Sequence, residues 1–330
     1  MAVPFAFGWW ESFDFKKGPY DGIPWALVAL TVGWYYILKA IMPSLYISLR
    51  ESYGELVAGP LLAWTFHMVF YHVHSGIYQI MDETKGWWNE RKVSEFDRVG
   101  PWKITYWQML PNVVRNQCIF LVVGIVNHKV FGGRGWNRAT QPYDDVSWAN
   151  FLFEFVVMYI TYELQFYGFH RLLHNMKFNF WGLTKTKYNL YTKFHRLHHM
   201  TFASVGLSGL YMTGVDCFLT QTLPQVVGPT LINSHPMILW VGAFVGSFNA
   251  IHTHSCYSFW GFPAPHGHEL HHSRYTVNYG TGPLDELLGT ILPEKDVVRE
   301  GYGLGGKLKS QIEKSKQRKA MEQQAAKRSE

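Results

Sequence analysis

Three histidine-rich windows constrain this chain more than anything else in it: HRLLH at His170 and His174, HRLHH at His195, His198 and His199, and HELHH at His268, His271 and His272. They hold eight of the 16 histidines. Within each window the imidazoles stand three or four residues apart, a spacing that shares one helical face, so each window is expected to aim its rings at a common point. Neutral imidazole is the commonest metal ligand, and eight exceed what one tetrahedral zinc can use. The pattern therefore predicts two metal ions. A single histidine on an apolar helix is more often a hydrogen-bonded core residue, but composition does not produce three such windows in the order HxxxH, HxxHH, HxxHH. Any fold for this chain must gather segments that lie about a hundred residues apart.

The 330 residues are 48% hydrophobic and 17% aromatic, while the mean hydropathy is near neutral at −0.08. Apolar stretches must therefore alternate with substantial polar loops. Six stretches suit a bilayer crossing: roughly Pro24–Pro43, Leu56–Ile80, Gln117–Phe131, Trp148–Phe169, Phe202–Leu231 and Pro236–Ile251. The third is short and flanked by Arg115 and Lys129, so it reads as re-entrant or tilted. The expected fold class is all-α, a polytopic integral membrane helical bundle of about six crossings with a histidine-cluster metal cap on the cytoplasmic side.

Charge agrees with that map. Lys39 and Lys129 fall inside crossings, Arg50, Arg134 and Arg138 face one side, and the rest of the 30 Lys and Arg face the other. By the positive-inside rule this second side is cytoplasmic, or the matrix in a mitochondrial inner membrane, and it carries both termini and all three histidine windows. The endoplasmic reticulum is the expected membrane; the terminal KRSE resembles a dilysine retrieval tail with Arg in place of Lys. The net charge of +6 reflects this asymmetry, so no nucleic-acid partner is implied. The tail from Lys307 to Glu330 reads as a solvated helix or disorder lying against anionic headgroups. Cys118, Cys217 and Cys256 imply no disulfide framework. No secretory signal or transit peptide is visible, which makes the first crossing its own anchor. His67, His72 and His74 read as helix packing, because residues two apart point to different faces. Three regions follow: membrane and interfacial helices over 1–147, a catalytic segment over 148–290, and a basic tail over 291–330.

The order HRLLH, HRLHH, HELHH resembles the fatty acid hydroxylase and sterol desaturase superfamily of membrane non-heme di-iron oxygenases, over roughly Trp148 to Thr290. The segment HELHHSRYTVNYGTGPLDELLGT is similar to the ending of sterol C5-desaturases, with Asn278, Tyr279, Gly280, Asp285 and Gly289 at the matching positions. Upstream, Ala203, Ser204, Asp216, Leu223 and Pro224 match a further family segment. Two departures, Met212-Thr213-Gly214-Val215 in place of a histidine-proline pair and Leu284 in place of an aromatic residue, fall where lipid contacts are expected. The resemblance also implies one more histidine from the end of the last crossing, His254 or alternatively His252.

What the resemblance implies is two iron ions, O₂, a lipid substrate (a sterol or a fatty acyl chain) and a separate cytochrome b5-type electron donor. Ligation by histidine alone leaves the metal charge uncompensated, so nearby acids are expected to accept the second ring N–H and fix each imidazole. Glu163 is the first candidate: it lies seven residues before His170 on the same helical face, in a crossing where an unpaired carboxylate is costly. Asp216, Glu269 and Asp285 follow. The expected reaction is sterol desaturation of the C5 type, with a lipid hydroxylase or methyl-sterol oxidase as the alternative. A reading from another class is a non-catalytic subunit of a membrane complex, with the aromatic segment MAVPFAFGWWESFDF as a docking element. A metal-dependent hydrolase is disfavoured, since the chain has no cysteine ligand set.

Overall fold

The computed structural model describes residues 24–84, 86–92, 104–131, 146–175, 188–201, 204–259 and 261–291. The aromatic N-terminal segment, Arg134, Arg138, Phe202, Ala203 and the basic tail after Ile291 lie outside the described residues. What is described is helical, with no strand beyond an isolated bridge between Lys92 and Tyr257.

Helix α1, Trp25–Tyr53, runs through Pro43 and stops at Gly54, whose φ of 86° no other residue adopts easily. A π turn, Val57–Leu61, leads into α2, Leu62–Glu83. Helix α3, Tyr106–Val130, opens on a capping box in which Thr105 Oγ1 accepts from Gln108 N and Gln108 Oε1 accepts from Thr105 N. Helix α4, Trp148–Leu173, is capped by Ser147. The expected crossing Phe202–Leu231 is not one helix. It comprises a 3-10 turn, Gly206–Leu210, a break at 211–213, α5 at Gly214–Asp216, a π turn at Cys217–Thr222, and α6 at Leu223–Leu231. Helix α7, Pro236–Ser255, and two short helices, α8 at His266–Arg274 and α9 at Pro283–Leu287, complete the order.

Polarity is distributed inside out. Helices α1 and α3 are long and apolar enough, by length and composition, to cross a membrane. On α2, Val69, Val73, Ile77 and Ile80 form an exposed stripe; on α4, Phe153, Val156, Ile160 and Leu164 do the same. Glu154, Glu163, His67, Asn116 and Gln117 are buried. Contiguous apolar exteriors of this kind are rare on water-soluble monomers and suit a lipid exterior, which must leave every polar group satisfied within the bundle. This distribution suits a membrane protein. Inside, α1, α4 and α7 share a core around Tyr35, Leu38, Phe151, Val241 and Phe244. A second core joins α2, α3 and α7 through Tyr71, Val113, Leu207 and Ile251.

The reading of the third crossing as short is corrected. Helix α3 begins at Tyr106 and has 25 residues, about 37 Å at 1.5 Å per residue. Arg115, Asn116 and Gln117 interrupt its hydropathy, yet they have intramolecular tasks. Asn116 Nδ2 donates to Leu210 O (2.8 Å) and Met212 O (2.9 Å), and Arg115 Nη2 donates to Met212 O (2.7 Å). Asn112 Oδ1 accepts from Met212 N at 3.1 Å. The break at 211–213 thus finds on α3 the partners it lacks within its own backbone. His72 bonds Gln117 on α3, whereas His74 stacks on Phe248 of α7, so the two histidines serve different faces.

Replacing Asn116 by Leu removes its donor from Leu210 O, at roughly 1–3 kcal/mol for an unsatisfied group, while Met212 O keeps Arg115. Thermal unfolding of the detergent-solubilised variant should show a clear drop in melting temperature. An unchanged melting curve would mean that the break is held by other contacts.

Candidate metal centre

Helix α4 delivers His170 and His174 at its C-terminal end, four residues apart. The π turn Tyr191–His195 and the 3-10 turn His198–Met200 present the second window, and the end of α7 presents His254. Helix α8 carries the third window and ends at Tyr275, whose φ of 63° is left-handed. Nine imidazoles meet in two groups: His170, His174, His195, His199 and His271 in one; His198, His254, His268 and His272 in the other. The ligand atoms of each group lie within 4.8 Å of one another.

The expectation that each window aims at one point is corrected. His195 and His199 join the first group while His198 joins the second; His268 and His272 join the second while His271 joins the first. Residues i and i+4 share a helical face and i+3 is rotated to its flank, so an HxxHH motif offers two imidazoles to one centre and one to its neighbour. The groups are adjacent: the rings of His199 and His272 stand 4.6 Å apart. Of the two α7 candidates, His254 lies in the cluster, with Nε2 2.8 Å from that of His268 and 3.3 Å from that of His198. His252 points away, its Nδ1 paired with Tyr78 Oη at 2.5 Å.

The donor set fits cations. His170 Nδ1 lies 2.5 Å from Tyr279 O, His195 Nδ1 2.7 Å from Asp216 Oδ2, His254 Nδ1 2.6 Å from Ala250 O, and His271 Nδ1 2.7 Å from Val277 O. Each partner is an acceptor, so Nδ1 carries the proton and a neutral ring keeps its lone pair on Nε2. Those Nε2 atoms face inward: His170 to His195 at 3.0 Å, His199 to His195 at 3.1 Å, His174 to His271 at 3.2 Å. No proton is available between His170 and His195 to make that approach a hydrogen bond. A positive ion among the lone pairs turns the repulsion into ligation. Burial first, and then neighbouring imidazoles, hold His199, His271 and His272 well below the ordinary histidine pKa, which keeps the rings neutral at physiological pH.

The acids take unequal parts. Asp216, fully buried, bonds His195 directly and also accepts from Thr220 Oγ1 at 3.1 Å. The expectation that Glu163 would accept a histidine N–H is corrected: its carboxylate receives Thr281 N and, at 2.8 Å, Thr281 Oγ1. Asp285 receives Tyr279 N at 2.7 Å, Gly280 N at 2.6 Å and Thr290 Oγ1 at 2.7 Å. Together the two clamp the 279–281 backbone whose Tyr279 carbonyl holds His170, so they act on the imidazole at one remove. Glu269 accepts from Cys256 Sγ at 3.3 Å. The carbonyls of Tyr279, Val277 and Ala250 escaped the sequence reading because any residue type supplies a carbonyl. The asparagine-tyrosine-glycine element was the available signal, since Asn278, with φ of 54°, turns the chain there.

A cavity of about 560 Å³ lies between α4, α6 and α7 and reaches His170, His195, His198, His254 and His268. Its α4 wall carries Phe155, Tyr162 and Phe166; its α7 wall carries Gly242, Gly246 and Ala250.

Residues 155–290 match the fatty acid hydroxylase family. Fatty acid hydroxylase domain-containing protein 2 of Homo sapiens is 28% identical over 200 residues, 60% of this chain and 55% of that protein. Cholesterol 25-hydroxylase of Homo sapiens is 30% identical over 133 residues, 36% and 48% of the two chains. Methylsterol monooxygenase 1-3 of Arabidopsis thaliana is 28% identical over 127 residues, 36% and 39%. The matches with the first of these relatives span about half of its length. No solved structure matches the chain.

Asp216→Ala removes the acceptor that fixes the His195 tautomer. Metal affinity of the purified protein, measured by competition with a chelator, should fall about 10- to 100-fold. Retained affinity would show that Asp216 does not orient the ring.

Proposed function

Because this chain belongs to the fatty acid hydroxylase and sterol desaturase superfamily, we propose that it is an O₂-dependent membrane oxidase that uses two iron ions on an unactivated C–H bond of a lipid. One observation carries this reading: nine imidazoles converge in groups of five and four at the end of a cavity wide enough for a lipid. His170, His174, His195, His199 and His271 would hold one ion, and His198, His254, His268 and His272 the other. Bound iron supplies one-electron redox chemistry and the activation of O₂. The chain contributes placement. Asp216 and the carbonyls of Ala250, Val277 and Tyr279 keep four rings in the tautomer that presents Nε2. The aromatic wall of α4 and the bare wall of α7 fix the C–H bond and exclude water, so a small displacement of the substrate decides between desaturation and hydroxylation.

We read the lipid as a sterol and the outcome as desaturation of the C5 type, since the desaturase-like residues Tyr279, Gly280 and Asp285 are the ones that orient His170. Electrons would arrive singly from a cytochrome b5-type donor whose acidic surface suits a basic cytoplasmic face. The membrane reading is six crossings in the endoplasmic reticulum, with 1–147 supplying membrane helices, 148–290 the catalytic part and 291–330 a basic tail. A structural subunit without activity is disfavoured, because a retired site has no reason to keep nine converging imidazoles beside an open cavity.

Two measurements test this. In membranes supplied with NADH, a reductase, cytochrome b5 and a Δ7-sterol, His198→Ala should lose product formation while His72→Ala, whose ring meets Gln117 and Tyr106 rather than the histidine groups, retains most of it. Wild-type turnover by His198→Ala would end the oxidase reading. Tags at the two termini should be equally accessible to protease from the cytoplasmic side. Opposite protection would mean an odd number of crossings.

A further inference from the structure

The cavity is not uniformly apolar, and its polarity changes along a ruler that α7 supplies. Gly242, Gly246, Ala250 and His254 recur every four residues on α7, and all four line the cavity. At 1.5 Å per residue, Ala250 lies about 6 Å, Gly246 about 12 Å and Gly242 about 18 Å from the cluster histidine along the axis. The far end is apolar and closed by Met158, whose Sδ would stand 2.6 Å from any Cβ at Gly242. Phe155 and Val245 line the same end.

The intermediate stretch is different. Asn249 lines it five residues before His254, and Gln221 lines it five residues after Asp216, the residue that holds His195. Gln225 joins them, its Nε2 3.4 Å from where a Cβ at Gly246 would stand. Among the described residues the side chains of Asn249, Gln221 and Gln225 make no hydrogen bond, and all three are half-buried at the wall of the cavity. A primary amide turned into an otherwise apolar slot without a partner is costly unless something that enters the slot supplies one.

We propose that Gln221, Gln225 and Asn249 form the site that receives the hydroxyl or carbonyl group of an amphiphilic lipid, whose reacting part lies between them and the histidines. This rests on the oxidase reading and narrows it. The polar group is held about one and a half to two and a half helical turns from the histidines, so the carbon that reacts lies within about 8–13 Å of that group. Oxidation of a remote tail carbon does not fit this orientation.

The test measures binding to the metal-free protein in membranes, separately from turnover. A 3β-hydroxysterol and a long-chain fatty alcohol are each compared with their methyl ethers, for wild type and for the double variant Gln221→Leu/Asn249→Leu, with melting curves to confirm that the variant folds. One of the alcohols should bind wild type on the order of tenfold more tightly than its ether, the loss expected when buried amides are left unpaired, and the variant should lose that preference. Single variants Gln221→Ala and Asn249→Ala repeat the measurement if the double variant melts early. Equal binding of alcohol and ether to wild type, or a preference that survives the substitutions, overturns the proposal. So does a turnover product oxidised on the distal tail. Failure of the oxidase reading looks different: the alcohol preference persists, but loaded wild-type protein oxidises no lipid.

Discussion

Inward-facing lone pairs are the constraint on which this structure turns. Nine imidazoles bring their Nε2 atoms together, and at least four are fixed in that tautomer by an acceptor on the other nitrogen. Left alone, such a cluster repels itself and strips water from nine polar rings. Its persistence requires supports on every side. Asp216 stands at the start of a π turn, Ala250 lies one turn back on α7, and the Val277 and Tyr279 carbonyls sit on a chain reversal after α8. Glu163 and Asp285 then fix that reversal, so two buried carboxylates act through backbone amides on a ring they do not touch.

The bundle solves the complementary problem. A segment that places polar rings at the end of α4 and α7 needs those helices to stand in an apolar medium without losing any polar group to it. Apolar stripes on α2 and α4 face outward, while Asn112, Arg115 and Asn116 turn toward the irregular backbone at 211–213. That irregularity is useful. A straight helix over Phe202–Leu231 would have no freedom to present Asp216 to His195; the break resets the direction of the chain just before it.

The histidine windows and most helices were legible in the sequence, because both rest on local spacing: helical periodicity for the histidines and runs of apolar residues for the long helices. His254 emerged only as one of two candidates, for which local context gives no orientation; the turn at Cys256, with φ of 60°, lies beyond what spacing encodes. The division of each HxxHH motif between two groups was implicit in helical geometry but depends on where a neighbouring helix places its own rings. Glu163 was read as a direct partner of histidine because proximity along α4 cannot reveal that a loop more than a hundred residues later reaches it first. Arg115 to Gln117 misled for the opposite reason: hydropathy scores a residue by its own transfer cost and ignores the partner that offsets it.

Helix α8 gives the assembly a temporal order. It supplies His271 to one group and His268 and His272 to the other, so neither group is complete until the ribosome has passed residue 272 and that segment has folded back. The histidines of α8 meet His170, His174 and His199, which lie about 70 to 100 residues earlier, so that part of its packing is long-range. A chain that has inserted its long helices but acquired no cations would be held open at α8 by the repulsion that the cations remove. Where folding and metal binding are coupled in this way, a chain without cations would leave α8 unfastened.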